Sequence, residues 1–320
     1  MVQFLCPPNY ATGGTEAIFS CVDMLFELGI DAELVLCTFD NGGMQVWGEN
    51  AVPERFKKYR YRLASSVSPK STCVVCPEGF LKYIELLSGL PLWIWWLSID
   101  NAFDRTYLRK RLDIVIGAYI SNYRTKKIAT TIPQKHLCQS AYSRTVLERW
   151  GMSCSMLTDY VDVPISLTDL PKTCTVSYNA RRGQSEALST LSHLSGNVEI
   201  VPIINMTVYQ VQQTLARSMI CLDFGFFPGK DRLVREATLL GNVVLTSKIG
   251  SAGYFEDFGI DSTYKFSIRM HRERQRCLNV IRDILNQRSY HLEAQSRFRT
   301  IVSQERDVFR SEVISVFRGA

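Results

Sequence analysis

The chain alternates short apolar runs with stretches whose apolar residues recur at helical spacing, and that alternation restricts the fold more than any other feature. Residues 2–6 read as a buried strand, and a Pro/Gly-rich loop over 7–15 leads into a helix over about 16–28. Ile18, Val22, Leu25 and Phe26 share one face of that helix, and Gly29 stops it. Further strands are expected at 32–38, 72–77, 92–99 and 135–140, the last followed by a helix over 142–150. Residues 161–171 (VDVPISLTDLP) carry two prolines and no helical period, which marks an interdomain linker. A second series then begins. Strands at 173–178, 198–204, 219–224 and 243–246 alternate with helices at 184–194, 208–217 and 232–240, and an arginine-rich helical tail starts near 268.

Strand–helix alternation of this kind predicts parallel α/β units. At 320 residues the chain has room for two of them. The expected architecture is α/β, with two Rossmann-like doubly wound domains facing a cleft and C-terminal helices packing back on both. The boundaries are 1–165, 166–267 and 268–320. In such sheets ligands bind beyond the carboxyl ends of the strands, so the residues just after each strand are the ones to examine.

Composition narrows the class. Apolar residues make up 46% and charged residues 21%, which excludes disordered and fibrous chains. No run of eighteen apolar residues occurs, and the N-terminus lacks a basic segment, so a cytoplasmic protein is expected. Ten cysteines are too sparse for a disulfide scaffold and sit mostly in apolar runs. The one C-x-x-C pair, Cys73 and Cys76, lacks the second pair or histidines that zinc needs, and no Asp-x-Asp signature ends a strand. No metal is expected.

The net charge of +6 is unevenly placed. Residues 1–54 hold eight acids and no base, whereas 55–70 hold six bases and no acid. Residues 105–149 hold ten bases against Asp113 and Glu148, and the tail from Arg269 holds eleven arginines against six acids. Tyr59, Tyr61, Tyr119 and Tyr123 accompany two of these stretches. They read either as a solvated face or as a contact for polyanions: anionic lipid at the inner face of a membrane, or a diphosphate-linked acceptor. No nucleic-acid-binding signature accompanies the charge, so no nucleic acid partner is expected.

Four segments at strand ends carry candidate chemistry. Gly13, Gly14 and Thr15 lie between the first strand and first helix, where backbone N–H groups can meet an anion, although Thr15 as a helix cap explains the same residues. The loop is not the G-x-G-x-x-G dinucleotide fingerprint, which counts against an NAD-dependent oxidoreductase. The second segment follows Asp223-Phe224-Gly225 and carries Gly229, Lys230, Arg232, Arg235 and Glu236, so it offers N–H donors and cations to a diphosphate and a carboxylate to ribose hydroxyls. Arg181 and Arg182 end the strand before Gly183 and can add neutralisation, and Asn205 follows the next strand, where it can line a base pocket.

Gly13-Gly14-Thr15, Arg182-Gly183, and Arg235-Glu236-Ala237 followed by Gly241-Asn242-Val243-Val244 together resemble nucleotide-sugar-dependent glycosyltransferases of the GT-B fold. The flavour is that of the retaining, sucrose-synthase-like group of bacterial polysaccharide biosynthesis. The resemblance implies that Glu236 holds the donor ribose, that Arg182 stands for the diphosphate-binding lysine, and that Gly13 and Gly14 lie beside donor phosphates and acceptor. Two departures are plain. Pro228 stands where the group's first glutamate belongs, and Ser98-Ile99-Asp100-Asn101 replaces its usual first-domain histidine.

The expectation is therefore transfer of a sugar from a nucleoside-diphosphate sugar to a glycan or lipid-linked glycan, metal-independent and with no cofactor. Lys230, Arg232 and Arg182 stabilise the leaving diphosphate. Asp100, after the strand at 92–99, is the candidate base for an inverting reaction, its alternative role being a turn cap. The rival is a catalytically silent nucleotide-sugar-binding or scaffold protein on the same two-domain shell.

Overall fold

The computed structural model describes residues 1–40, 43–103, 112–194 and 196–318, with side chains of the helix beginning at 112 described from 122 onward. The chain divides into two compact units, Met1–Asp159 with Asp307–Ala320, and Tyr160–Arg306.

The first unit contains β1 (Val2–Cys6), α1 (Gly13–Glu27), β2 (Ala32–Asp40), β3 (Gly43–Trp47), β4 (Cys73–Pro77), β5 (Leu92–Trp96), α2 (Leu112–Thr131), β6 (Lys135–Cys138), α3 (Ala141–Arg149) and β7 (Ser155–Met156). Its sheet runs β3-β2-β1-β4-β5-β6-β7, parallel except for the antiparallel edge strand β3. Every residue of β1 and β4 is buried, because strands covered by helices on both faces lose the polar alternation of an open sheet. β1 leads to β2 on one side while β4 pairs on the other, so the order reverses between β1 and β4. The loops after these two strands therefore flank a topological switch point.

The second unit contains α4 (Ile165–Thr168), β8 (Thr173–Asn179), α5 (Gln184–Leu191), β9 (Glu199–Ile203), α6 (Val208–Arg217), β10 (Ser218–Asp223), α7 (Arg232–Leu239), β11 (Val243–Ser247), β12 (Lys265–Phe266), α8 (His271–Asn286), α9 (Arg288–Ala294) and α10 (Ser296–Ser303). Its sheet is wholly parallel in the order β12-β11-β10-β8-β9, and the reversal falls between β8 and β10.

The tail divides its allegiance. Gln295 clamps β11 by accepting the N–H of Val244 and donating to its carbonyl, both at 3.0 Å, while Phe298 packs at 6.0 Å from Phe258. α11 (Glu305–Phe317) closes the chain, and its last turns serve the first unit. There Phe317 lies 5.8 Å from Phe4 and 5.7 Å from Trp93, and Glu312 accepts both the N–H and hydroxyl of Thr158 at 2.7 Å.

Several sequence boundaries move. The expected strand 92–99 ends at Trp96 and passes into a 3-10 turn, Ile99–Ala102, which carries Asp100. The 161–171 linker holds the short α4, entered at Pro164 as its cap. The basic stretch after residue 54 does not stand as an unpaired face. Arg55 and Lys58 each reach Glu16 at 3.3 Å, Lys57 reaches Glu54 at 2.6 Å, Arg60 reaches Asp23 at 2.6 Å, and Arg62 reaches Asp31 at 2.5 Å and Glu33 at 2.9 Å. It neutralises the acidic block that precedes it. Residues 105–121 of the second basic stretch lie outside the described side chains.

Candidate active site

At the switch point of the second sheet, β8 and β10 end in Asn179 and Asp223, whose side chains bond at 2.8 Å. Two glycines let the following loops cross. Gly183 has φ +72°, and a Cβ on it would lie 2.7 Å from the carbonyl carbon of Phe224. A Cβ on Gly225 would lie 2.4 Å from Cγ of Arg182. Neither position admits another residue without moving backbone or a held side chain.

That crossing fixes Arg182. Its Nη2 meets Asp223 at 2.7 Å and Asp231 at 2.5 Å, its Nη1 donates to the carbonyl of Phe226 at 3.0 Å, and the guanidinium lies 4.5 Å from the ring centre of Phe227. Burial pushes the Asp223 carboxyl above the ordinary range, with the Arg182 charge acting in the opposite direction. Arg181 is exposed, and its N–H bonds the side chain of Asn179 at 3.1 Å.

Asp231 has a second task as the cap of α7, accepting the N–H of Leu233 at 2.9 Å. The remaining candidates of this segment form two ion-paired groups. Lys230 and Arg235 each bind Glu305 at 2.8 Å, and Arg235 also donates to the carbonyls of Asp231 and Lys230 at 3.2 Å. Arg235 is fully buried, so its guanidinium braces the loop from behind and does not present itself to a ligand. Arg232 reaches Glu236, one turn on, at 3.3 Å and the carbonyl of Tyr160 at 3.4 Å. Gly229 is buried, and its carbonyl accepts the hydroxyl of Ser251 at 2.6 Å. Asn205 stands apart after β9, exposed and with φ +53°, a left-handed conformation that asparagine tolerates.

In the first unit the helix cap is Thr12, not Thr15. Thr12 accepts the N–H of Thr15, and Thr15 accepts the N–H of Thr12 at 2.9 Å while donating to the carbonyl of Tyr10 at 2.8 Å. Gly13 and Gly14 thus open α1, and the site of a Gly14 Cβ is 3.6 Å from the Leu97 side chain. Arg55 braces the same turn by donating to the carbonyl of Thr12 at 3.1 Å. Asp100 is half-buried and accepts the hydroxyl of Tyr142 at 3.2 Å.

Sequence reasoning passed over Glu78, the first residue after β4. It is buried and accepts the N–H groups of Leu97 and Ser98, both at 3.0 Å, which ties the loop carrying Asp100 to the switch point. An acid directly after a fully apolar strand was the available signal. Burial pushes its carboxyl up from about 4.5 to about 7, with the backbone bonds acting in the opposite direction. The folded protein therefore holds a proton that the unfolded chain releases, and stability falls as pH rises from about 4.5 through 7, by roughly 3 kcal/mol. His136, whose Nδ1 accepts the indole N–H of Trp96 at 3.1 Å, titrates the other way, because burial lowers it to about 4. Urea unfolding of the wild type and Glu78→Gln across pH 4–8 separates the two. The difference between the curves should carry the Glu78 slope, and a flat difference would contradict it.

No protein-family model matches the sequence, and no curated protein matches it at a significant level. Solved structures do match. HepE of Anabaena in complex with UDP superposes with a TM-score of 0.67 at 12% identity over 100% of both chains. Sucrose-phosphate synthase of Thermosynechococcus elongatus gives 0.67 at 11% identity, over 99% of this chain and 98% of that one. An alpha-glucosyltransferase in complex with UDP gives 0.56 at 8% identity over 95% of both chains, and an alpha-glucosyltransferase is also seen with UDP and a 13-mer DNA containing an HMU base. The chain has the fold of these proteins, which is the GT-B fold.

Proposed function

We propose that the protein is a glycosyltransferase that moves a sugar from a nucleoside-diphosphate sugar to a glycan or lipid-linked glycan, in the building of a surface polysaccharide. The observation that carries this reading is the switch point of the second sheet, where Arg182 is packed against the capped start of α7. Positive charge and helix N–H groups at a strand end are the chemistry that a diphosphate requires. The HepE structures with UDP and UDP-glucose, and the UDP complex of alpha-glucosyltransferase, agree with that choice of ligand.

In this reading the second unit holds the donor and the first unit the acceptor. As the glycosidic bond to the diphosphate breaks, charge grows on the leaving phosphate, and Arg182, Arg232 and Lys230 stabilise it without a metal. Glu236, held by Arg232, receives the ribose hydroxyls, with Arg181, Asn205 and Gly229 around the nucleotide. Arg235 acts through Glu305 by holding Lys230 in place. The start of α1 at Gly13, Gly14 and Thr15 serves the acceptor side, and in an inverting reaction Asp100 is the base that takes the proton of the acceptor hydroxyl.

A nucleotide panel tests the donor assignment. UDP or GDP should raise the melting temperature, since a ligand bound only by the native state stabilises it. Glu236→Ala and Arg232→Ala should lose most of that rise, and unchanged binding by both would remove the site. Release of nucleoside diphosphate from a sugar donor separates the enzyme from the silent scaffold, which Pro228 at the family's first glutamate favours.

No helix among the described residues is long and apolar enough to cross a membrane. Work at the inner membrane face would then use exposed groups such as Tyr123, Arg124 and Lys127 of α2. Sedimentation with anionic vesicles should be lost in high salt, and binding that ignores salt and lipid charge would count against it.

A further inference from the structure

The opposite, amino edge of the second sheet gathers three cations. Lys172 precedes β8, and its Nζ donates to the carbonyl of Leu215 at 2.9 Å. Arg288 donates to the carbonyl of Gly241 at 2.8 Å, and Arg299 to that of Thr238 at 3.3 Å. All three carbonyls lie at or just beyond the C-terminal ends of α6 and α7, where cations are favoured. Capping explains one hydrogen bond for each side chain. It does not explain why the cations converge.

Arg288 and Lys172 meet at Gly241. A Cβ there would be 3.7 Å from Nη2 of Arg288 and 3.8 Å from Cε of Lys172. Arg299 holds the carbonyl three residues earlier in the same turn. Among the described residues none of the three has a carboxylate within ion-pair distance. Nε of Arg288 and Nη2 of Arg299 are buried without a hydrogen-bond partner. Such groups cost free energy in a native fold and call for a missing partner. Burial, then the Arg288 charge, lowers Lys172 to about 7. Burial also lowers Arg288 and Arg299, and Arg299 adds its repulsion to Arg288. Glu293 on Arg299 and the thiol of Cys221 on Lys172 are the opposing influences.

We propose that Lys172, Arg288 and Arg299 form a seat for a phosphate-type oxyanion at the amino edge of the second sheet, distinct from the donor site. Two guanidinium groups and an ammonium with spare donors suit a tetrahedral anion, and an anion there relieves their mutual repulsion. The phosphate belongs either to a free phosphate compound or to a lipid headgroup.

Sulfate is the first probe, because its charge is constant over the pH range used. At constant ionic strength against chloride, sulfate should raise the melting temperature of the wild type saturably. Affinity should fall at least severalfold from pH 6 to 8 as Lys172 loses its proton. Lys172→Met and Arg288→Gln should each abolish the response, Arg288→Gln keeping an N–H donor for the Gly241 carbonyl. Lys172→Met, with one like charge removed, should melt no lower than the wild type when no anion is present, which shows that it folds.

Inorganic phosphate and vesicles containing phosphatidic acid then identify the source, since each should lose binding in the same two variants. The proposal is overturned if the wild type shows no sulfate response or if the response survives both substitutions. It is equally overturned if UDP competes with sulfate, which would place the anion at the donor site. A wild type that binds sulfate but no nucleotide would instead end the donor reading and leave this seat standing.

Discussion

Glu305→Leu should cost about 3–5 kcal/mol of stability, the largest effect of any single substitution considered. Glu305 is nearly fully buried and carries two cations, Lys230 at 2.8 Å and Arg235 at 2.8 Å. Arg235 has no exposed surface through which water could replace the lost carboxylate. Removing the acid therefore takes from both cations the carboxylate they share in a poorly solvated interior, which is far worse than never having buried them. The triple variant Glu305→Leu, Lys230→Met, Arg235→Met should regain most of the loss, because charge and counter-charge leave together. Urea midpoints of the two proteins decide the matter, and a single variant as stable as the wild type would show that the triad carries no weight. Nucleotide binding gives a second readout, since the triple variant should fold yet bind UDP more weakly for lack of Lys230.

This triad also shows where sequence reasoning stops. Strands β1, β8 and β10 and the limits of α7 were legible because each is a local pattern: an apolar run of strand length, or a helical period closed by a glycine. Lys230, Arg232 and Glu236 stand out as candidates for the same reason, as charged residues next to a strand end. Glu305 was not, because it lies 70 positions from Arg235 and nothing local ties it to the loop. The ion pairs of residues 55–62 failed differently. The block of acids and the block of bases were both visible as counts, yet only folding brings Arg60 beside Asp23, 37 positions away. Strand β3 escaped because its residues are half-buried on an edge, so GMQVW lacks the continuous apolar run of the inner strands. Glu78 escaped because its partners are backbone N–H groups of Leu97 and Ser98, which leave no trace in residue type.

The second large effect concerns what a diphosphate must displace. Arg182 is already engaged, with two carboxylates, a carbonyl and an aromatic face around its guanidinium. A phosphate can take those donors only by competing with Asp223 and Asp231, so the affinity reports the difference between two ion pairs. Arg182→Ala should weaken UDP binding by about 10–100-fold, the loss expected for charge-assisted bonds to a phosphate. It also leaves Asp223 buried beside Asp231 without its cation, so part of the penalty is in folding. Asp223→Asn moves the two quantities apart. It removes one competitor while retaining a side chain of the same shape, so UDP should bind more tightly, by about threefold or more, even if the melting temperature falls. Calorimetric titration with UDP, run beside thermal unfolding, separates affinity from folding. If Asp223→Asn weakened UDP as much as Arg182→Ala does, the carboxylate would be holding Arg182 in its binding pose and not competing for it. Arg182 would then be preorganised by Asp223, as a second-domain cation whose aim matters more than its availability.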